Sequence, residues 1–369
     1  VTASAEGPPH PARPARATRD DVARLAGVST AVVSYVLNNG PRPVAPGTRE
    51  RVLAAVRRLD YRPNSLARAL RSQRSDSYGM LVPTLENPFF AALADAVATC
   101  AQARGRTVVL GSAARGRVSE SSLAETFLAR RVEAVITVGA DHPDRLGTLI
   151  DAGVPVVAVD RDPGDPRMGL VTVDHRAGAR AATAHLIAAH GYRRIGCVAG
   201  PVDLPVAQDR VLGWRSAVAS AGLAPGPAVT ADFTRRGGHA AARALLDGRR
   251  RTQRPLPRAV FVSSGQQAAG FLAAVQEAGV RVPDDLAVIT FDGTEETRFT
   301  RPALSTVVQP VPALAGRALD LIRDVLRGRE VARRVTVPSS LTLRRSCGCA
   351  PPGPAAPGLP EEGRCSKSP

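Results

Sequence analysis

In the stretch TRDDVARLAGVSTAVVSYVL, Thr18 to Leu37, apolar side chains recur at helical spacing in two short runs divided by Gly27. Val22, Leu25 and Ala26 fall at i, i+3 and i+4 and predict one buried stripe; Val33, Val36 and Leu37 predict a second. Thr18 precedes the first run with Asp21 three residues on, the spacing of a capping box. Ser29 is a suitable cap for the second run. Gly27 permits the sharp turn between them, and Val28 plugs it. This pattern leaves Thr30, Ala31, Ser34, Tyr35 and Asn38 together on the outer face of the second helix. Those groups are small or hydrogen-bonding and include no carboxylate, which suits a DNA major groove. The stretch therefore predicts a helix-turn-helix with its recognition helix over 30–37. Val52, Ala55, Val56 and Leu59 mark the buried stripe of a third helix that closes the domain.

The next segment, YRPNSLARALRSQRSDS, changes character. Pro63 holds its predecessor extended, and Asn64 can cap a helix of about two turns, too short to persist alone in water. Leu66, Ala67 and Leu70 alternate with Arg68 and Arg71, as expected of a minor-groove wedge flanked by phosphate-holding arginines. A plain linker is the competing reading. From Tyr78 onward short β-rich runs (YGMLV, TVVLG, AVITV, VVAVD, GLVTVD, RIGCVAG, AVFVSS, LAVITFD) alternate with helical patterns. Such alternation predicts parallel sheets wound with helices, here enough for two similar lobes with a ligand cleft at the carboxyl ends of the strands. The expected organisation is a disordered tail over 1–17, the helix-turn-helix over 18–63 and a hinge helix and linker over 64–76. A two-lobed body follows over 77–345, one lobe at about 77–176 and 309–336, the other at about 177–308 and 337–345. A disordered tail closes the chain over 346–369.

Charge sharpens this picture only in part. The 369 residues carry a formal +16, but Lys367 is the single lysine and 31 residues are proline, a bias that raises net charge without a binding purpose. The excess is nevertheless uneven: residues 1–77 hold thirteen arginines against six acidic residues, which suits a nucleic-acid module ahead of a more neutral body. With no apolar run long enough to span a bilayer and no hydrophobic leader at VTASAEGPPHPARPAR, a cytoplasmic, nucleoid-associated location without membrane contact is expected. Cys100 and Cys197 read as core. The Cys347-Gly348-Cys349 pair has too few neighbouring ligands in sequence, so no metal is expected. His142, His175, His185, His190 and His239 show no paired metal spacing, and His190 reads as a helix-terminal cap.

Three features in combination resemble the lactose-repressor/galactose-repressor (LacI/GalR) transcription factors: the basic helix-turn-helix, the capped linker helix and the two-lobed α/β body. The motifs that carry the resemblance are DVARLAGVS…VS…VLN, TRERVLAAVRRLDYRPNSLARAL, GMLVP…NPFF, VPVVAVDR, RRIGCVAGP and the closing SCGC, over about 18–349. The resemblance implies a multidomain fold: an all-α helix-turn-helix DNA-binding domain plus a two-lobed α/β periplasmic-binding-protein-like (type I) domain. It implies a homodimer, with a tetramer as the larger alternative, on a palindromic double-stranded DNA operator, under control of a small-molecule effector of sugar type. No cofactor is implied. Carried over, Thr30, Ala31 and Tyr35 read bases, and Ser29, Ser34 and Asn38 contact phosphates. Thr18, Asn64, Ala67 and Arg68 add to the DNA face, and Leu70 is the wedge. For the effector, Asn87, Phe89 and Phe90 match the NPFF segment whose rings sandwich a sugar. Asp160, Arg161, Arg210, Phe233, Asp292 and Gln309 align with positions that hold sugar hydroxyls, and Ser264 stands where relatives often carry Asn.

The chain also departs from the family pattern. Tyr35 replaces a usual Arg and loses its bidentate guanine contact. Val32 replaces a frequent Thr, and Ala45 replaces a capping Ser at a cost of about 0.5–2 kcal/mol. The loop before Ala45 is one residue longer. Ser264-Gly265 stands for Asn-Asp, and Gly293 for Asp. A regulator with a degenerate ligand site is therefore one alternative. A solute-binding receptor shares the body but needs a signal peptide and no residues 18–77. An enzyme is disfavoured: Ser263-Ser264-Gly265 is not a G-x-S-x-G elbow, and Gly111 to Arg117 is no phosphate-binding loop.

Overall fold

The computed structural model describes residues 17–38, 40, 42–61, 75–113, 119–139, 143–253 and 255–350. The chain divides into two compact units, Val1–Gln73 and Arg74–Pro369.

In the first unit, α1 (Arg19–Ala26), α2 (Thr30–Asn38) and α3 (Pro46–Arg58) surround a small core of Val22, Ala23, Ala26, Val33, Val36, Val52, Ala55 and Tyr61. The capping box forms as its spacing predicts: the Asp21 N–H donates to Thr18 Oγ1 at 3.3 Å, and the Thr18 N–H donates to Asp21 Oδ2 at 2.9 Å. Gly27, at φ +64, ends α1, and the Val28 N–H reaches Ala23 O at 3.0 Å. From α3, Arg51 Nε adds a bond to the free carbonyl of Ala26 at 3.4 Å. One expectation fails: Leu25 is 43% exposed, and Ala23 takes its place in the core. Because α3 packs along the Val22–Ala26 side, the i+1 position faces inward instead of i+3. Ala45 precedes α3 with no side-chain cap, as its residue type requires. The expected hinge helix, with Asn64, Ala67, Arg68 and Leu70, lies outside the described residues.

The second unit holds two six-stranded sheets. Strands β1 (Ser77–Val82), β2 (Thr107–Ser112), β3 (Ala134–Val138), β4 (Val156–Val159) and β5 (Gly169–Val173) build the first. Between them run α4 (Pro88–Ala103), α5 (Glu120–Ala129) and the short α6 (Gly147–Asp151). The chain then enters the second sheet through α7 (His175–His190) and β6 (Ile195–Ala199), followed by α8 (Pro205–Ser220), β7 (Ala228–Thr230), α9 (Arg235–Thr252), β8 (Ala259–Val262), α10 (Gly265–Glu277), β9 (Ala287–Thr290) and β10 (Ser305–Val308). It returns through α11 (Val311–Leu326) and β11 (Arg334–Val337) to the first sheet, and closes with β12 (Ser340–Thr342) on the second. The orders are β11-β5-β4-β3-β1-β2 and β12-β10-β9-β8-β6-β7, parallel throughout except β12, which runs antiparallel to β10. Strands β1 and β3 are buried along their whole length, as strands covered on both faces must be.

Two details position the site. First, α7 and α8 pack closely: a Cβ on Gly213 would stand 2.3 Å from Arg176 O, so only glycine permits the approach. Second, the ordered body extends beyond residue 345, where the tail was expected to begin. Ser346 and Cys347 are fully buried; Ser346 Oγ donates to Val288 O at 2.6 Å and accepts from the Ser305 N–H at 2.8 Å. The closing SCGC is stitched onto the second sheet and is no tail. Among the described residues no helix is long and apolar enough to cross a membrane.

Candidate functional site: a buried charge relay between two sheets

The carboxyl ends of the strands in both sheets converge on one chain of polar contacts. Asp160 follows β4 in the first sheet, and Asp292 follows β9 in the second. Both adopt left-handed backbone, at φ +74 and +84, which turns their side chains away from the strand direction. Arg210, on α8, is 3% exposed and lies between them. Its Nη1 donates to Ser263 O at 2.6 Å and stands 3.1 Å from Asp292 Oδ1. Its Nε and Nη2 lie 3.4 and 3.3 Å from His175 Nδ1. Arginine only donates, so His175 Nδ1 is the acceptor, which leaves the proton on Nε2. That Nε2 stands 3.3 Å from Asp160 Oδ1. The far end is extended by Gln309, whose Nε2 donates to Asp292 Oδ1 at 3.1 Å. The other Asp292 oxygen accepts from the Gly265 N–H, also at 3.1 Å.

One guanidinium faces two carboxylates, with a neutral imidazole as spacer, and Arg161 supplies the second positive charge acting on Asp160. Burial alone raises Asp160. The His175 N–H beside it, then the guanidinium charges of Arg210 and Arg161, outweigh that and hold its carboxyl below the ordinary value. The Arg210 guanidinium also stacks 4.0 Å above the Phe291 ring and lies 5.7 Å from Phe233. Gln309 Oε1, at the far end of the relay, is buried with no hydrogen-bond partner among the described residues. Buried polar atoms are seldom left unpaired.

The aromatic side is built on α4. Asn87 caps it, accepting from the Phe89 N–H at 3.0 Å. Phe89 is buried against the first sheet, and Phe90 meets it edge-on at 5.6 Å. In the second lobe the half-buried Phe233 ring lies over Gly200, where a Cβ would fall 2.2 Å from it.

In the first unit, Ser29, Thr30 and Ala31 are exposed and Ser34 and Tyr35 half-buried. Ser29 accepts from the Val32 N–H at 3.4 Å, the cap expected of it. Asn38 ends α2, with its side chain outside the described residues. The Tyr35 ring packs on Gly40, where a Cβ would sit 2.5 Å from Cδ1.

Two family models match the chain. Residues 18–64 fit the bacterial regulatory proteins of the lacI family, and residues 183–347 fit a periplasmic binding protein-like domain. The ribose operon repressor of Escherichia coli K12 is 36% identical over 311 residues, 83% of this chain and 92% of that one. The chain belongs to the LacI family. It is a DNA-binding transcriptional repressor of that family and not an enzyme. The transcriptional repressor PurR of Vibrio campbellii is 31% identical over 322 residues, 86% of this chain and 95% of its own. Among solved structures, the lac repressor dimer bound to operator and the anti-inducer ONPF matches with TM-score 0.80 and 27% identity, covering 90% of this chain and 99% of that one. The complex of the transcriptional regulator CelR with cellobiose matches with TM-score 0.67 and 31% identity, covering 90% and 100%.

For a LacI-family chain, the body brings Asp160, Arg210, Asp292 and Gln309 into one relay, with Phe233 at its edge. Arg161 also borders it, its guanidinium beside Gly139. Ser264 is spent otherwise: it is 2% exposed and caps α10, accepting from the Gln267 N–H at 3.2 Å. Gly293 has a local cause, because a Cβ there would stand 2.6 Å from Val308 Cα. Thr18 is likewise engaged, with its hydroxyl 2.6 Å from Asp21 Oδ2. Sequence reasoning missed His175, the centre of the relay. Its signal was the Asp174-His175 pair at the end of β5, where Asp174 caps α7 and the chain changes sheets. It also missed a cluster on the far end of that helix. His185 and His190 stand beside Cys347 and Cys349, so the expectation that the cysteine pair lacks neighbouring ligands is corrected.

Proposed function

We propose that this repressor binds a palindromic operator as a dimer and is governed by a small polyol of sugar type held in the relay between the two sheets. The observation that carries this reading is the Asp160–His175–Arg210–Asp292–Gln309 chain, with the buried Gln309 Oε1 unspent at its end. A polyol offers hydroxyls that both donate and accept, which suits carboxylate, amide and guanidinium groups; its C–H faces suit aromatic rings such as Phe90 and Phe233. The ribose operon repressor among its relatives and the cellobiose complex among its structural neighbours support a sugar-class guest.

Because Asp160, His175, Arg210 and Asp292 already satisfy one another, binding there is an exchange of partners. A hydroxyl accepted by Asp160 competes with His175 Nε2, and movement of His175 is felt at Arg210. Asp160 belongs to the first sheet and Arg210 and Asp292 to the second, so the exchange resets the link between the lobes. Whatever effect the sugar has on operator affinity, DNA must have the same effect on sugar affinity. On the DNA side, Thr30, Ala31 and Tyr35 read bases and Ser29, Ser34 and Asn38 hold phosphates; Leu70 is the minor-groove wedge, and Asn64, Ala67 and Arg68 add to the DNA face. Tyr35 in place of a guanidinium gives a half-site unlike the common one. The test is a thermal-shift screen of pentoses, hexoses and their phosphates against the wild-type chain and Arg210→Ala. A stabilising sugar, at a hundred times its dissociation constant, adds about 2.7 kcal/mol in the wild type and nothing in the variant. If no sugar stabilises the wild type, or both respond alike, the relay is only an interlobe brace.

A further inference from the structure

The C-terminal end of α7 carries a second polar cluster, far from the relay. His185 and His190 lie five residues apart on the last turns of the helix, which Gly191 ends at φ +65. Cys347 and Cys349 flank Gly348 on the closing 3-10 turn. The four ligand atoms all lie within 4.8 Å of one another. Both imidazoles present Nε2: the two nitrogens are 3.2 Å apart. His185 Nε2 is 3.7 Å from Cys347 Sγ and 3.4 Å from Cys349 Sγ, and His190 Nε2 is 3.4 Å from Cys349 Sγ.

These distances match four of the six edges of a tetrahedron of definite size. A zinc ion bound to nitrogen at about 2.0–2.1 Å and sulfur at about 2.3 Å has N···N edges of about 3.3 Å and N···S edges of about 3.6 Å. We propose that His185, His190, Cys347 and Cys349 form a structural zinc site that fastens the carboxyl-terminal turn to α7. A closed set of two thiolates and two imidazoles selects zinc over magnesium or calcium and leaves no coordination position for substrate. On binding, both thiol protons leave to solvent, including the one that Cys347 directs at Arg344 O, 3.3 Å away. The surroundings are built to hold this geometry. Gly348 adopts φ +103, which strains any L side chain, and a Cβ there would press on His190 Nδ1 at 3.2 Å, so glycine suits the turn that closes over the ring. Tyr192 stacks on that ring at 5.6 Å. Cys347 is fully buried, while the other three ligands are half-buried, open enough for metal to enter.

The test uses the full chain, stripped with chelator under reductant and then titrated with zinc or cobalt. The expected result is one metal per chain, with cobalt giving the strong visible bands of a tetrahedral site and thiolate-to-metal charge transfer. Cys347→Ser/Cys349→Ser abolishes both. If that double variant fails to fold, His185→Gln, on the half-buried side, is read instead, with circular dichroism as the control for folding. Uptake well below one metal per chain, uptake unchanged in the variants, or peptide mapping that finds Cys347 and Cys349 joined in a disulfide would overturn the site.

Discussion

Helix α7 has histidine chemistry at both ends, and the ends differ in kind. At the amino end, His175 sits in a relay held by the protein's own charges: two carboxylates, the Arg210 and Arg161 guanidiniums and an imidazole between them. At the carboxyl end, His185 and His190 meet two thiols in a set of four metal-ligating atoms. The first end is satisfied by its neighbours and can trade them. The second asks for an ion and, once it has one, has no reason to let go. A switch and a rivet can thus share one helix, some 22 Å apart at 1.5 Å per residue.

Substitutions separate the two ends, and the largest effect belongs to the relay. Arg210→Ala leaves Asp160 and Asp292 buried without their cation and should cost about 3–5 kcal/mol in urea unfolding. Arg210→Lys should cost less, yet still lose the fork that reaches Ser263, Asp292 and His175 together. Next is the rivet: free zinc at a hundred times its dissociation constant should add about 2.7 kcal/mol to the wild type and nothing to Cys347→Ser/Cys349→Ser. A paired test uses the glycine beside each end. Gly293→Ala strains the backbone next to Asp292, and Gly348→Ala strains the turn over His190. Each should cost about 1–3 kcal/mol. Thermal melts should show that only Gly348→Ala lowers zinc affinity and only Gly293→Ala lowers response to sugar.

The smallest effect is with pH. Because the folded-state value of Asp160 is depressed, its contribution is fully present above the ordinary 3.8 and is lost as pH falls through the lower folded value. Urea midpoints followed by the fluorescence of Trp214, the single tryptophan and buried in the core, should decline from this source only below about pH 4. A decline that begins near neutrality would place the sensitive group elsewhere.

How much of this was readable in advance follows from how local each feature is. The three-helix unit rests on contacts a few residues apart. Thr18 with Asp21, and Gly27 with Val28, announce its turns, and only the facing of Leu25 depended on where α3 packs. The two-sheet body was readable as strand–helix alternation. That β11 and β12 return to different sheets was not, since no local pattern says which edge a late strand joins. The carboxylates, Arg210 and Gln309 stood out as polar residues at apolar strand ends. His175 looked ordinary because its partners lie 15 and 35 residues away. The second cluster was hidden for a similar reason. Residues five apart differ by about 140° around a helix, so no shared helical face marks His185 and His190 as partners. Their cysteines arrive from more than 150 residues downstream.

The most direct test of the relay as sensor is anisotropy of a labelled duplex from upstream of the repressor's own gene, with a scrambled duplex at equal, near-physiological salt. The wild type and Cys347→Ser/Cys349→Ser, loaded with the stabilising sugar, and Arg210→Lys under the same conditions, are compared with their sugar-free forms. The account predicts about a thousandfold or greater preference for the native duplex in all three. Sugar changes that affinity in the first two and leaves Arg210→Lys unmoved. An undiminished sugar response in Arg210→Lys, or equal binding to both duplexes, would contradict it.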